Sequence, residues 1–158
     1  PRVKKKNAPR KITHTITIAP TTYIRTLWND VSDQLERAVV RSNGRWTMEA
    51  LYYSIESGHQ QLWLAFDDDK MIDGVGTTEI LDYPQGKMLA IQFLGGDKFN
   101  DWVWEMLEKF NSFAKDSGCV GIEANDCSFP NSTLLLSNIK ARIVAFALFK
   151  ILFEPKGP

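Results

Sequence analysis

The sequence predicts an α/β (α+β) domain whose central sheet mixes antiparallel and parallel strands. Residues 87–125 read as an apolar strand, two glycines, an amphipathic helix and a short second strand, the arrangement of a crossover between parallel strands. Residues 61–81 hold two apolar segments joined by an acidic turn, which is typical of an antiparallel hairpin. The chain has 158 residues, 44% of them hydrophobic, enough for one well-packed core.

The segment around the two glycines is the most informative. Lys87–Leu94 is mostly apolar, and Gly95–Gly96 interrupt it, since glycine turns freely and lets a ligand approach the backbone. From Asp97 the apolar residues recur at helical spacing, and Gly118 is suited to a left-handed cap at the helix end. Cys119–Ala124 follows as a short strand. N–H groups at the start of such a helix attract anions, so we expect the two-glycine turn to form an anion site.

The elements before this segment follow from simple periodicities. Lys11–Ile18 alternates apolar and polar residues, which predicts a strand. His14 falls on its apolar face, where we expect a buried, hydrogen-bonded histidine rather than a catalytic base. After Pro20, Thr21 or Thr22 can cap a first helix.

A second helix and a hairpin come next. Met48–Ser57 is the predicted helix, with Thr47 at its N-cap. Gln61–Phe66 and Met71–Leu81 are the hairpin strands, and the glycines within the second strand, Gly74 and Gly76, indicate a bend or close packing against a neighbour. The turn Asp67–Lys70 holds three carboxylates. It lacks the wider ligand spacing of a calcium loop, so we interpret it as a solvated turn.

Charge is distributed unevenly along a chain of zero formal net charge. Residues 1–11 contain six basic and no acidic side chains; removing those six from the 19 basic residues leaves 13 against 19 acidic ones, about −6 for the rest. We expect the basic arm 1–11 to be disordered alone and able to grip phosphate or an acidic surface. No apolar run reaches membrane-spanning length, and no signal peptide is evident. Two cysteines, Cys119 and Cys127, make no disulfide framework.

The order of these pieces resembles the GCN5-related N-acetyltransferase (GNAT) fold. The matching segments are LWNDVSDQLERAV, GRWTMEALYYSIESGHQQLWLAFDDDKMIDGV, YPQGKMLAIQFLGG, AKDSGCVGIEA and SNIKARIVAFALFKIL. The similarity extends over about residues 12–152, and it is nearest to small acetyltransferase-like proteins of tailed phages and prophages. It implies a single domain, 12–153, with a short tail, 154–158. It also implies a mostly antiparallel sheet with helices on both faces and a parallel strand–helix–strand core that binds acyl-CoA.

The resemblance implies acetyl-CoA as cofactor and assigns residues to it. The strand before the two-glycine turn would receive the pantetheine arm, and the turn would cradle the pyrophosphate. The cofactor-binding residues carried over from the family are Phe93, Leu94, Gly95, Gly96, Asp97, Lys98, Phe99 and Asn125. On this placement Gly96→Trp would abolish coenzyme A binding and leave the fold largely intact.

Several residues depart from the family pattern. No Arg or Gln opens the loop, and Asp97 adds a negative charge where phosphates would sit, unless it is a plain helix N-cap. Many active members place a Tyr in the last helix to protonate the departing thiolate, whereas residues 128–138 contain none. The catalytic candidates are therefore Glu79 and Glu123 as bases and Ser128 as a polar substitute. We expect no metal.

Three functions remain open from the sequence. The first is an N-acyltransferase that uses acetyl-CoA and an amine acceptor. The second is a non-catalytic virion protein that kept the fold, as some internal virion proteins of short-tailed phages do; its partners would be other virion proteins. The third is nucleic-acid binding through arm 1–11. We expect the protein to be located in the host cytoplasm or the virion and to have no membrane partner. Residues 142–153 are apolar on both faces, which predicts a strand that is either central in the sheet or covered by another chain. Oligomerisation is therefore possible.

Overall fold

The computed structural model describes residues 13–42 and 44–124. Within these ranges five strands form one sheet in the order β1-β2-β3-β4-β5. The first three pairings are antiparallel and β4 pairs with β5 in parallel, as the sequence predicted. The strands are β1 (Thr15–Ile18), β2 (Gln60–Phe66), β3 (Ile72–Tyr83), β4 (Gly86–Gly96) and β5 (Cys119–Ala124).

Helices cover both faces of the sheet. The helices are α1 (Ile24–Val40), α2 (Met48–Glu56) and α3 (Phe99–Asp116). One apolar cluster joins α1 and α2 to Leu62, Leu64 and Phe93 of the sheet. A second cluster joins α3 to the opposite face, including Trp63 and Leu89. The mixed sheet with helices on both faces confirms the predicted fold class.

Of three predicted helix caps, two are confirmed and one is wrong. Thr47 accepts a hydrogen bond from the Ala50 backbone N–H at 3.1 Å and caps α2 as expected. Gly118 adopts φ +76° after α3, the predicted left-handed cap. The expected threonine cap of α1 is wrong, because Thr21–Tyr23 forms a 3-10 turn and neither this turn nor α1 has a side-chain cap. The chain turns there by backbone hydrogen bonding, with the Tyr23 N–H bonded to the Pro20 carbonyl oxygen at 2.9 Å.

Two glycines of β3 let α3 lie directly on the sheet. A Cβ on Gly74 would lie 2.2 Å from the Trp102 ring, and one on Gly76 would lie 2.8 Å from the Met106 sulfur. Trp102 and Met106 are fully buried. The predicted close packing at Gly74 and Gly76 is therefore confirmed, and α3 is the neighbour.

The acidic hairpin turn is closed by its own side chain. The Asp67 carboxylate accepts hydrogen bonds from the backbone N–H groups of Asp69 and Met71, each at 2.9 Å.

Within the described ranges no helix is long and apolar enough to cross a membrane. The basic arm 1–11, the tail 154–158 and the predicted strand at 142–153 lie outside those ranges.

We predict that Gly74→Ala destabilises the fold far more than Gly118→Ala. The first change drives a methyl group into the Trp102 ring, and overpacking of this kind costs about 3 kcal/mol. The second meets open space and costs about 1 kcal/mol for a left-handed alanine. Urea unfolding of both variants measures the difference. Equal losses would mean that α3 does not lie against Gly74.

Candidate functional site

The two predicted phosphate-cradle glycines lie inside β4 rather than in a turn. Gly95 pairs with Val75 and Gly96 pairs with Gly74 of β3, so the predicted break after Leu94 is wrong. A Cβ on Gly95 would lie 2.4 Å from the Gln34 backbone oxygen of α1. These positions need glycine because protein backbone passes close to them.

Gly96 is the more constrained of the two glycines. It has φ +135°, and a Cβ there would lie 2.2 Å from the Asp73 backbone oxygen. Gly96→Trp would therefore disrupt the β3–β4 pairing, and it is not the fold-neutral test of coenzyme A binding that the sequence suggested.

The turn that connects β4 to α3 consists of Asp97 and Lys98. Asp97 is not the helix N-cap: Lys98 holds that position at φ 51°, and no side chain caps the helix. The Asp97 N–H donates to the Asp73 backbone oxygen at 2.8 Å, and its carboxylate lies 3.3 Å from the Arg37 guanidinium. Lys98 Nζ lies 4.0 Å from Asp73 Oδ2. Phe99 begins α3 and its ring packs edge-on against Trp102 at 5.2 Å.

An acidic groove lies beside this turn. It has a volume of about 560 Å³ and is lined by Asp30, Asp33, Gln34, Glu36, Arg37 and Asp97. Four carboxylates face a single guanidinium there, and that guanidinium is already paired with Asp97. Such a surface repels phosphate, whereas the N-terminus of α3 and Lys98, on the other side of the turn, attract anions.

The predicted pantetheine contacts, Phe93 and Leu94, have buried side chains on opposite faces. Phe93 belongs to the α1–α2 cluster and Leu94 to the α3 cluster. Their backbone is different: among the described residues β5 pairs with β4 only as far as Ile91, whereas β3 pairs with it to Gly96. Because both side chains are occupied in packing, only the backbone of this segment is left to contact an extended ligand.

A β-bulge interrupts the pairing of β4 with β3. Thr77 is opposite Phe93 and Thr78 is opposite Ile91, so Gln92 is an extra residue in β4. Bulges interrupt the ladder and redirect side chains, and they are frequent beside active sites. The Gln92 amide donates to Glu79 Oε2 at 3.1 Å. No feature of the sequence predicted this bulge.

The two carboxylate candidates lie on one face of the sheet. Glu79 is paired with Ala90, and Ala90 is paired with Glu123, so the two glutamates are two strands apart, about 10 Å between backbones. Leu89 precedes Ala90 and Ile122 precedes Glu123, and both of these apolar side chains belong to the cluster on the α3 face. The glutamates therefore point to the opposite face, as alternation along a strand requires.

Tyr83 is a site residue that the sequence analysis missed. Its hydroxyl donates to Glu123 Oε1 at 2.7 Å. This hydrogen bond raises the pKa of Tyr83, and burial and the Glu123 charge add to the rise. Tyr83 is four positions after Glu79 in the same strand, so strand alternation could have placed both on one face. Its pairing with Glu123 depends on the parallel register of β4 and β5.

Buried polar groups without a partner lie on the same face. Gln60 is paired with Glu79 across β2 and β3, and Thr77 precedes Glu79 by two residues. Both side chains are fully buried, and neither the Gln60 amide nor the Thr77 hydroxyl has a hydrogen-bond partner among the described residues. The α1–α2 face therefore holds a polar row at its centre rather than a purely apolar core.

Two predicted site residues, Asn125 and Ser128, lie outside the described ranges, as does Cys127. Cys119 begins β5, and burial raises the pKa of its thiol. Within residues 13–42 and 44–124 no group of three or more His, Cys, Asp or Glu side chains is arranged to hold a metal ion.

Known structures share this fold. A GNAT family acetyltransferase from Staphylococcus aureus superposes with a TM-score of 0.54 at 11% identity, over 80% of this chain and 98% of that one. The aminoglycoside N-acetyltransferase AAC(6′)-Iy in complex with CoA superposes at 0.57 and 11% identity, over 96% and 93%. A transcriptional regulator from Bacillus halodurans superposes at 0.53 and 14% identity, over 92% and 95%. No family model and no curated protein sequence matches the chain. The chain has the GNAT fold.

We predict that Glu123→Gln lowers the pKa of Tyr83 towards the ordinary 10.0. The reason is that the substitution removes the charged carboxylate that accepts the hydrogen bond from the Tyr83 hydroxyl. In the wild type the raised pKa stabilises the folded state at neutral pH, and this contribution is lost as the pH rises through the folded pKa. Ultraviolet titration of the phenols, with Tyr83→Phe as the difference reference, gives the value. Tyr53→Phe, at an exposed tyrosine, is the control. An unchanged Tyr83 titration in Glu123→Gln would contradict the assignment.

Proposed function

We propose that the protein is an acyl-CoA-dependent N-acyltransferase of the kind encoded by tailed phages and prophages, which transfers an acetyl group to an amine. One observation supports this most directly. Glu79, a partly exposed carboxylate, is held by Gln92 at a bulge in β4. A base thus lies beside the strand to which the family resemblance assigns the acyl carrier.

The residues fit acetyl-CoA with one change from the sequence-based assignment. The β4 backbone from Gln92 to Leu94 can pair with the pantetheine amides, and the first turn of α3 with Lys98 can hold the pyrophosphate. Gly95 and Gly96 serve the packing of β4 against α1 and β3, so they shape this site without forming a cradle themselves. When bound, acetyl-CoA supplies a thioester carbonyl that an amine can attack.

Glu79 is better placed than Glu123 to accept the proton of the attacking amine. Glu123 is only 6% exposed and already accepts the Tyr83 hydroxyl. Glu79 is partly exposed. It accepts a hydrogen bond from Gln92 on Oε2, and a carboxylate can accept further hydrogen bonds besides this one. As the new C–N bond forms and the C–S bond breaks, Glu79 takes the amine proton directly or through a water.

Tyr83 does not supply the proton that the departing thiolate needs. Its raised pKa makes it a weaker acid than an ordinary tyrosine, and its loss of a proton would place a phenolate against the Glu123 carboxylate. The sequence-based candidate for this step is Ser128, outside the described residues, and solvent is the alternative donor.

A second candidate function is a non-catalytic component of a phage virion. The acidic groove next to the β4–α3 turn favours it, because Asp97 and its neighbours oppose phosphate binding. In that case acetyl-CoA would not bind, and the chain would be found in purified virions. For the enzyme we propose location in the host cytoplasm.

We predict that millimolar acetyl-CoA raises the melting temperature by at least several degrees. A ligand at 100 times its dissociation constant adds about 2.7 kcal/mol of stability, which corresponds to roughly 5–11 °C for a protein of this size. Lys98→Gln should weaken binding by about tenfold, since it removes a charged phosphate donor. Lys70→Gln is the matched control, because Lys70 is also a left-handed lysine, at φ 60°. Binding that ignores Lys98 would refute the pyrophosphate placement, and no shift at all would favour the virion protein.

We predict that Glu79→Gln lowers kcat by a factor of about 10²–10⁴, the usual contribution of a general base, and preserves the acetyl-CoA melting shift. The measurement is release of free thiol with a panel of primary amines. Glu56→Gln, at an exposed residue of α2, is the control and should keep full activity. Full activity in Glu79→Gln would remove Glu79 from the mechanism.

A further inference from the structure

A buried histidine lies behind the β4–α3 turn. The His14 side chain is only 4% exposed, and its Nε2 lies 2.8 Å from Asp73 Oδ2. Its other ring nitrogen, Nδ1, lies 2.8 Å from the Thr13 hydroxyl oxygen. Both ring nitrogens are therefore engaged.

The Thr13 hydroxyl has a second partner, and this determines where the protons are. It donates to the Asp101 backbone oxygen at 3.2 Å, and a carbonyl oxygen can only accept. A hydroxyl has one hydrogen, so it cannot also donate to His14. With Asp73 present as a carboxylate, all three contacts are hydrogen bonds at once only if Nδ1–H donates to Thr13 and Nε2–H donates to Asp73.

We infer that His14 is a positively charged imidazolium that positions the β4–α3 turn through Asp73, so that the protonation of His14 controls anion binding at this turn. The contacts connect His14 to the turn through Asp73 and Thr13. The Asp73 backbone oxygen receives the Asp97 N–H at 2.8 Å, and Thr13 holds the first turn of α3 at Asp101. His14 is thus a positioning residue, and its assignment to cofactor binding rests on the proposed function.

A protonated His14 adds a positive charge behind the turn. The charged side chains facing this point are Asp73 from β3, Asp97 and Lys98 from the turn, and Arg37 from α1, which pairs with Asp97. Asp101 of α3 takes part through its backbone oxygen. Loss of the imidazole proton removes one positive charge from this group, which weakens the binding of a phosphate group.

The first test is the ¹⁵N NMR pattern of the imidazole rings in the full chain. The chain has two histidines, and His59→Gln assigns them. His59 is exposed, with Nδ1 at 2.6 Å from the Ser57 hydroxyl, and serves as the internal control. At pH 7.5 we expect the pattern of a doubly protonated ring for His14. A neutral His14 would overturn the inference whether or not coenzyme A binds.

The second test separates this inference from the proposed function. In His14→Gln the Asp97 amide, which bonds to Asp73, should exchange its hydrogen at least tenfold faster, with no ligand present. In the wild type, titration with coenzyme A should show an affinity that falls about fivefold as His14 loses its proton, and His14→Gln should abolish this pH dependence. An unchanged Asp97 exchange rate would overturn the positioning role. An altered rate without coenzyme A binding would keep it and refute only the acyltransferase.

Discussion

The backbone of β3 at Asp73 and Gly74 is the constraint on which the rest of the fold depends. The Asp73 carbonyl contacts Gly96 and accepts the Asp97 N–H, so it fixes where β4 ends. Gly74 leaves no room for any side chain beneath Trp102, so it fixes how close α3 comes. The Trp102 indole N–H then donates to the Asp97 backbone oxygen at 2.7 Å. Helix, strand end and turn are therefore positioned by two consecutive residues.

The sequence predicts the elements of this fold better than it predicts their ends. The period of 3.6 located α3, and two apolar segments joined by an acidic turn located the hairpin, because both patterns report which residues are buried. Gly95 and Gly96 were assigned to a turn because a glycine pair indicates a turn and a close backbone contact equally well. The backbone oxygens of Gln34 and Asp73 lie next to these glycines, and only this contact shows that close packing, not a turn, requires glycine there.

The parts of the site that could not be predicted are contacts between residues far apart in the sequence. Tyr83 and Glu123 are 40 positions apart, and His14 and Asp73 are 59 apart. Asp97 resembles an N-cap locally, but Arg37, 60 positions away, takes its carboxylate. In contrast, Glu79 and Glu123 were found as candidates because a carboxylate within an apolar strand is unusual by itself. Register then places them on one face, which composition cannot do.

The electrostatics of the β4–α3 turn decide between the two functions more than the fold does. The same fold is shared with acetyltransferases and with a transcriptional regulator, so the arrangement of strands does not determine the chemistry. Around the turn, the helix N-terminus and Lys98 attract an anion, while Asp97 and the acidic groove oppose it. The Arg37–Asp97 contact neutralises one carboxylate but is solvent-exposed, so salt screens it and its contribution is small. The His14–Asp73 pair is buried and keeps its strength in salt. If this turn binds a phosphate, the balance of charge is therefore set from behind, at the first strand, and not by the residues that would touch the ligand.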